Sequence, residues 1–179
     1  MIPNREECLR LMDDYGMLEN IIDHSLEVAR VALFLSEELN KRGQKIDLAL
    51  VEAASLLHDL TKTECLRTKE DHASKGCQVL EQMGYSRVGE VVAQHIWLIK
   101  EGDPSIVSEE EIVNYADKRV MHDRIVSLKE RFNDLRERYG ENPKALQQME
   151  RLERLTYKIE QKIFWILKID PNELQYIQK

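Results

Sequence analysis

The chain has 179 residues, of which 42% are hydrophobic and 33% are charged, and its formal net charge at pH 7 is −7. This length and composition are typical of one globular domain and exclude a disordered chain. The acidic balance argues against binding along a nucleic-acid duplex, and the absence of an apolar run of about 18 residues argues against a membrane span.

Nearly every segment is predicted to be helical, because the apolar residues recur at helical spacing and few β-branched runs alternate. Asp47 is predicted to cap a helix that is apolar on most sides and therefore central. Ser108 and Glu111 form the capping box S-x-x-E, and Asn142-Pro143 starts the last long helix. The predicted helices cover roughly residues 4–15, 23–41, 48–60, 72–83, 86–99, 109–139 (continuous or kinked) and 143 onward. Loops are predicted at 61–70 and 100–104, and a final turn or short helix starts at 170–171.

Polar side chains lie on the apolar faces of several of these helices. His58, for example, follows Ala54 by four residues and Val51 by seven, so the three share a face. Any one such histidine is typical of a hydrogen-bonded core residue. Burying all of them costs several kcal/mol unless each is satisfied, and a transition-metal site would satisfy them together. The inward-facing set comprises His24, His58, Asp59, His72, His95 and Asp117.

Two further residues sharpen this interpretation. No lysine or arginine precedes Asp59 within one helical turn, so a metal ion is the expected partner of its carboxylate. His122 lacks an apolar run before it and is predicted to be a surface or kink residue.

The order and spacing of the six residues resemble the HD-domain superfamily of metal-dependent phosphohydrolases. The resemblance covers about residues 20–135, and its most specific pieces are LLHDLTK (56–62) and NYADK (114–118). It implies an all-α, HD-domain helical bundle, which we assign to residues 1–140. The tail lies outside the resemblance, and its helical pattern predicts a C-terminal helical extension, 141–179, packed on the bundle. The six-ligand set is similar to that of bacterial symmetrical diadenosine tetraphosphate hydrolases.

The resemblance also implies a dinuclear metal site. It places one metal among His24, His58, Asp59 and Asp117. A second metal would bind through His72 and His95, with Asp59 bridging the two ions. The metals would be divalent Fe, Mn, Co, Ni or Zn, since His/Asp sites accept all of these.

The implied function is hydrolysis of a phosphate ester or anhydride, favouring a nucleotide, by a metal-activated hydroxide. Two divalent ions about 3.5–4 Å apart lower the pKa of a bridging water and clamp a phosphoryl group. Asp59 and Lys62 are the expected catalytic residues, and Lys62 would also reach a phosphate oxygen. Lys118, which adjoins Asp117, and Arg124, two helical turns after it, are the further predicted substrate-binding residues.

Two alternatives remain open at this stage. The same ligands occur in the diiron oxygenase branch of the superfamily, and a non-catalytic nucleotide or metal sensor would use the C-terminal helices as its output surface.

The expected partner is a small phosphorylated substrate, with neither a nucleic-acid duplex nor a membrane. A homodimer through the tail is also expected, because Ile159, Ile163, Trp165 and Ile166 exceed what one helix face buries. Three cysteines without a C-x-x-C pair favour reduced thiols and a cytoplasmic protein.

Overall fold

The computed structural model describes residues 1–99 and 102–177, so part of the predicted loop 100–104 and the end of the predicted extension 141–179 lie outside the described residues. The regular secondary structure of the described chain is helical apart from two short strands, which confirms the all-α prediction. Its elements are α1 (Arg5–Asp14), α2 (Glu19–Lys41), α3 (Leu48–Leu57), α4 (Lys62–Thr68), α5 (His72–Gln82), α6 (Ser86–Val92), α7 (Glu109–Arg119), β1 (Val120–Met121), β2 (Arg124–Ile125), α8 (Leu128–Tyr139), α9 (Pro143–Leu167) and a 3₁₀ helix (Pro171–Tyr176).

Local capping signals fix several helix starts as the sequence predicts. The Asp47 side chain accepts a hydrogen bond from the Leu50 N–H at 3.1 Å. Ser108 and Glu111 form the complete capping box at the start of α7. These side chains satisfy backbone N–H groups that have no partner within the helix.

Three predicted elements are wrong. The predicted loop 61–70 contains α4, and the predicted helix 86–99 ends at Val92, so that His95 lies in an irregular segment. The predicted helix 109–139 is interrupted by the antiparallel pair β1 and β2, in which Val120 lies opposite Ile125. His122, at the turn, has φ +58°, a left-handed conformation that does not continue a helix. Its exposure at this turn confirms the prediction of a surface or kink residue.

The core forms where α2, α3 and α7 pack together, with α6 against α3 and α5 against α6. Close packing of α5 on α6 depends on glycine. A Cβ atom at Gly89 would lie 2.9 Å from the backbone oxygen of Cys77, and one at Gly76 would lie 3.2 Å from a Val92 methyl carbon. This approach brings the start of α5 close to the segment after α6, which carry His72 and His95 respectively.

The last long helix contributes to the same core. Helix α9 packs against α8, α7 and α2, and it buries Leu152, Ile159, Ile163 and Leu167 in the main hydrophobic cluster. Ile159 and Ile163 are therefore covered within the chain, which corrects their part in the surplus of apolar surface expected from the sequence, whereas Trp165 is 75% exposed. None of the helices in the described ranges has the length and apolar character needed to cross a membrane.

Candidate metal centre

The fold brings all six predicted ligands to one place. His24 comes from the first part of α2, His58 and Asp59 from the turn after α3, and Asp117 from α7. His72 begins α5, and His95 lies just beyond α6. All are buried except His72, which is half-buried.

Backbone carbonyls orient three of the four imidazole rings. His58 Nδ1 donates to the Ser55 carbonyl at 2.7 Å, and His95 Nδ1 donates to the Val92 carbonyl at 2.7 Å. His24 Nδ1 donates to the carbonyl of His122 at 2.9 Å. A carbonyl oxygen only accepts, so the proton of each neutral ring lies on Nδ1, and the Nε2 lone pair faces the site. This is the tautomer that binds a metal through Nε2.

The ligand atoms form two groups that share Asp59. One ligand atom each from His24, His58 and Asp59 lie within 4.8 Å of one another, and so do atoms from Asp59, His72 and His95. Asp117 Oδ1 joins the first group, 3.0 Å from His24 Nε2 and 3.7 Å from His58 Nε2. His72 Nε2 lies 3.2 Å from Asp59 Oδ1.

Two buried atoms at the centre of this cluster, His58 Nε2 and Asp59 Oδ1, have no hydrogen-bond partner in the part of the chain that the structure describes. Leaving such atoms unpaired costs about 1–3 kcal/mol each, and more when the group is charged. In neutral His24, Nε2 is also an acceptor, and it faces another acceptor, the Asp117 carboxylate, so the two atoms cannot form a hydrogen bond with each other. A cation among these atoms satisfies all of them, so the residues present fit a bound divalent metal.

Lysine side chains partly balance the two carboxylates. Lys62 Nζ donates to Asp59 Oδ2 at 2.6 Å, which corrects the expectation that only a metal would partner this carboxylate; the other oxygen, Oδ1, still lacks a hydrogen bond. Lys118 is almost fully buried, with its ammonium 3.2 Å from Asp117 Oδ2 and donating to the His95 carbonyl. Helix α3 ends before Lys62, but Lys62 is the first residue of α4, and this position places its side chain at the site.

The surroundings set the protonation of the cluster. Burial raises the pKa of Asp59, but His58 and Lys62 outweigh it and hold that pKa well below its usual value. Burial opposes a charge on His58, yet Asp59 and Asp117 raise its pKa overall. Burial and the neighbouring His58 lower the pKa of His95 to about 3. His95 is therefore neutral at pH 7, as metal binding requires.

The cluster opens into a cavity of about 340 Å³. Asp59, His72, His95 and Asp117 line one part of it. Three cationic side chains also line it, which suits a site for an anionic ligand. These are Lys62, Lys118 and Arg131.

Arg124 is the predicted site residue that the structure does not bring to the cavity. Its expected orientation assumed one continuous helix after Asp117, but Arg124 lies on the exposed strand β2. Two contributors were missed by sequence reasoning. Arg131 follows the hairpin, whose length the helical pattern does not reveal, and His122 acts through a backbone carbonyl, which leaves no side-chain signal.

Comparison with protein families agrees with this geometry. The family model of the HD domain matches residues 21–121, more than half of the chain. The chain belongs to the HD-domain family. That range contains all six clustered ligands, and it ends before α8 and α9.

Relatives of this HD-domain chain carry names from RNA metabolism. The chain is 29% identical over 143 residues to the tRNA (cytidine(56)-2'-O)-methyltransferase of Picrophilus torridus, a match covering 72% of the chain and 40% of that protein. The protein of the same name from Thermoplasma volcanium is 26% identical over 151 residues, 77% of the chain and 43% of the relative. Ribonuclease Y of Pseudothermotoga lettingae is 31% identical over 78 residues, 44% of the chain and 14% of the relative.

The HD-domain chain thus spans less than half the length of each of these relatives. No solved structure matches it.

Proposed function

We propose that the chain is a metal-dependent phosphohydrolase that cleaves a phosphate ester or anhydride, with a nucleotide as the favoured substrate. The observation that carries the proposal is the convergence of unpaired Nε2 and carboxylate oxygen atoms beside a cavity lined by cationic side chains. Metal ligands and phosphate-binding groups on adjoining surfaces are what hydrolysis of a phosphate ester needs.

Each ligand residue has a defined role in this proposal. His24, His58, Asp59 and Asp117 would hold one divalent ion, and His72 and His95 would hold a second with Asp59 shared between the two groups. The bound ions would supply Lewis acidity for the attacking water and the phosphoryl group. The carbonyl contacts of His24, His58 and His95 keep those rings in the ligand tautomer throughout.

The two lysines would act on the substrate. Lys62 is one-third exposed and lines the cavity, so its ammonium can reach a phosphate oxygen while it remains near Asp59. Lys118 is more deeply placed, and its contact with the His95 carbonyl also fixes the segment that carries His95. Both place positive charge where negative charge grows on the phosphoryl oxygens during attack.

The names of the relatives, which refer to tRNA and to a ribonuclease, support an RNA or nucleotide phosphate as the scissile group. Methyl transfer is not proposed for this chain, because the site that carries the proposal is the His/Asp cluster. The acidic net charge favours a small nucleotide over a long duplex.

The test combines metal analysis with a screen for metal-dependent hydrolysis. The chain is loaded separately with Mn, Fe, Co, Ni and Zn, and incubated with nucleoside monophosphates, dinucleoside polyphosphates and short RNA. Phosphate release reports cleavage of the monophosphates, and chromatography of the nucleotide products reports cleavage of the other two classes. Metal-dependent cleavage is expected for at least one class. Oxygen uptake by the Fe(II) form without cleavage of any class would instead establish an oxygenase, and nucleotide binding without turnover would establish a sensor.

Substitution of Lys62 separates catalysis from metal binding. Lys62→Ala is expected to keep the metal content of the wild type and to lower kcat by about a hundredfold, the usual effect of losing one donor to transition-state charge. Lys41→Ala, at an exposed lysine paired with Glu38, is the matched control and should leave kcat unchanged. A Lys62→Ala protein with normal kcat would remove this residue from the catalytic machinery.

A further inference from the structure

Part of the cavity wall is formed by residues that follow the HD-domain match in the sequence. The match ends at residue 121, whereas five residues that line the cavity come from α8 and α9. These are Arg131, Leu135, Tyr139, Met149 and Leu152. The metal ligands and the rest of the cavity wall therefore come from different parts of the chain, and the later part can vary without changing the ligands.

Arg131 is the charged member of this wall. Its side chain is only 11% exposed, and Nη1 lies 3.2 Å from Asp134 Oδ2. Its Nε atom is buried and has no hydrogen-bond partner among the described residues. An unpaired buried guanidinium donor is costly, and an oxyanion is the ligand that its planar donors fit best. Arg131 shares the cavity with Lys62 and Lys118, so an anion there would meet three cationic groups.

The other members of the wall are largely apolar. Leu135 and Met149 are partly buried against the core, Leu152 is buried, and Tyr139 lies at the exposed rim. The volume of about 340 Å³ is near the lower end of the range for small-molecule sites, about 300–1,000 Å³. It suits one nucleoside-sized body.

We propose that α8 and α9 select the substrate. Arg131 binds an oxygen of the substrate's phosphate, and Leu135, Tyr139, Met149 and Leu152 hold an apolar or aromatic body attached to it. The substrate class is thus a small phosphomonoester with an aromatic body, of the size of a nucleoside monophosphate. This assignment rests on the proposed phosphohydrolase function.

A matched pair of arginines tests the anion site. Arg138 also pairs with Asp134, with Nε 2.9 Å from Oδ1, but it is 40% exposed and is not among the residues lining the cavity. In the metal-loaded full chain, Arg131→Gln is expected to raise both the KM for p-nitrophenyl phosphate and the Kd for inorganic phosphate, measured by calorimetry, at least about tenfold. The kcat should change less, and Arg138→Gln should stay within about twofold of the wild type.

Arg131→Lys serves as the second variant if Arg131→Gln does not fold, as judged by thermal melting. It keeps the charge but loses the planar donors, so its KM and Kd should be higher than those of the wild type and lower than those of Arg131→Gln. If Arg131→Gln is unfolded, the test is whether the KM and Kd of Arg131→Lys exceed those of the wild type. The role of Arg131 would be overturned if Arg131→Lys has the KM and Kd of the wild type and if, where both fold, Arg131→Gln and Arg138→Gln have equal KM and Kd.

The apolar wall is tested by substrate preference. The wild type is expected to prefer adenosine monophosphate to ribose 5-phosphate in kcat/KM, since the two share a primary-alcohol leaving group and differ in the aromatic base. Met149→Gln, of similar volume, should reduce that preference about tenfold. Met83→Gln, at an exposed methionine outside the cavity, is the control. A preference that is absent in the wild type, or unchanged by Met149→Gln, would overturn selection by this wall.

Failure of the inference and failure of the proposed function are distinguishable. Metal-dependent turnover with no difference between Arg131 and Arg138 variants overturns the inference alone. Cleavage of anhydrides or diesters without cleavage of any monoester also overturns the inference alone. If the wild type cleaves none of the phosphate esters and anhydrides in the screen, the proposed function fails. Phosphate binding that depends on Arg131 and not on Arg138 would still support the anion site in that case.

Discussion

At the residue scale, the two oxygens of Asp59 have different environments. Oδ2 accepts from Lys62, whereas Oδ1 is buried without a hydrogen bond and lies 3.2 Å from His72 Nε2. Asp59 is also the one residue common to the two groups of ligand atoms found in the described chain. A carboxylate so placed can serve two ions at once.

We therefore expect Asp59→Ala to lose both metals and His72→Ala to lose only one. Removing Asp59 takes a negative charge and a shared ligand from both groups, whereas His72 belongs to one group. Metal content after gel filtration, measured by elemental analysis, checks this against a wild type with two ions per chain. A wild type that binds one ion would make His72 an ordinary cavity histidine, and two ions retained by Asp59→Ala would refute the bridging role.

His95 predicts a pH dependence of the metal-free protein. Its folded pKa is about 3, against about 6.5 in the unfolded chain, because burial and His58 disfavour the charged ring. Between these values the unfolded chain binds a proton that the folded chain does not. The free energy of unfolding should therefore fall as the pH falls below about 6.5, by at most about 1.4 kcal/mol per pH unit.

The comparison of the wild type with a His95 variant between pH 6 and 4.5 isolates this residue. The other titratable groups are common to the two proteins, so a difference between their slopes belongs to His95. Urea unfolding of chelated wild type and His95→Gln should show a smaller slope in the variant. Equal slopes would mean that the His95 ring takes up a proton in the folded chain.

At the scale of elements, the sequence predicts what depends on local signals. Helix caps such as Asp47 and Ser108 act within one turn, and the apolar face that carries His24 belongs to a single helix. Both features were therefore predicted from the sequence. The hairpin at 120–125 was missed because its residues continue a helical apolar pattern and lack an Asn-Gly turn. Its geometry depends on tertiary contacts, including the hydrogen bond that the His122 carbonyl accepts from His24.

Helix α9 is tied to α7 by a buried polar network. Arg119 is 1% exposed and donates to the Val126 and Pro171 carbonyls and to the Tyr115 hydroxyl. Glu160, on α9, accepts from the Tyr115 hydroxyl at 2.6 Å and from Arg119 at 3.3 Å. Arg119 lies two residues after Asp117, so this network also fixes the part of α7 that enters the metal centre.

Glu160→Ala should lower the free energy of unfolding by about 2–4 kcal/mol, because it leaves the charge of Arg119 buried without its carboxylate. Glu38→Ala removes an exposed pair with Lys41 and should cost less than about 1 kcal/mol. Urea unfolding of both variants gives the comparison. Equal, small losses would show that the carbonyl contacts alone satisfy Arg119, and that α9 is held mainly by its apolar face.

At the scale of the whole molecule, the described residues leave an apolar region uncovered beside α9. A second cavity, of about 890 Å³, lies between the segment after α6 and α9, and Trp97, Leu155 and Trp165 are among its lining residues. Trp165 is 75% exposed, with the Lys168 ammonium 3.6 Å from its ring centroid. Exposed aromatic side chains around a depression are typical of protein–protein contact sites.

We predict that two copies of the chain associate through this region. The association would depend on Trp165 and not on Ile159 and Ile163, which are 5% and 0% exposed and already buried in the chain's own core. Light scattering should give a mass about twice 21.0 kDa for the wild type and 21.0 kDa for Trp165→Glu, because a carboxylate is costly to desolvate at an apolar interface and the large aromatic surface is lost. Tyr176→Glu, at a side chain that is 81% exposed on the 3₁₀ helix, should leave the dimer intact. A wild type that remains at 21.0 kDa at high concentration, or a Trp165→Glu variant that stays dimeric, would exclude this interface.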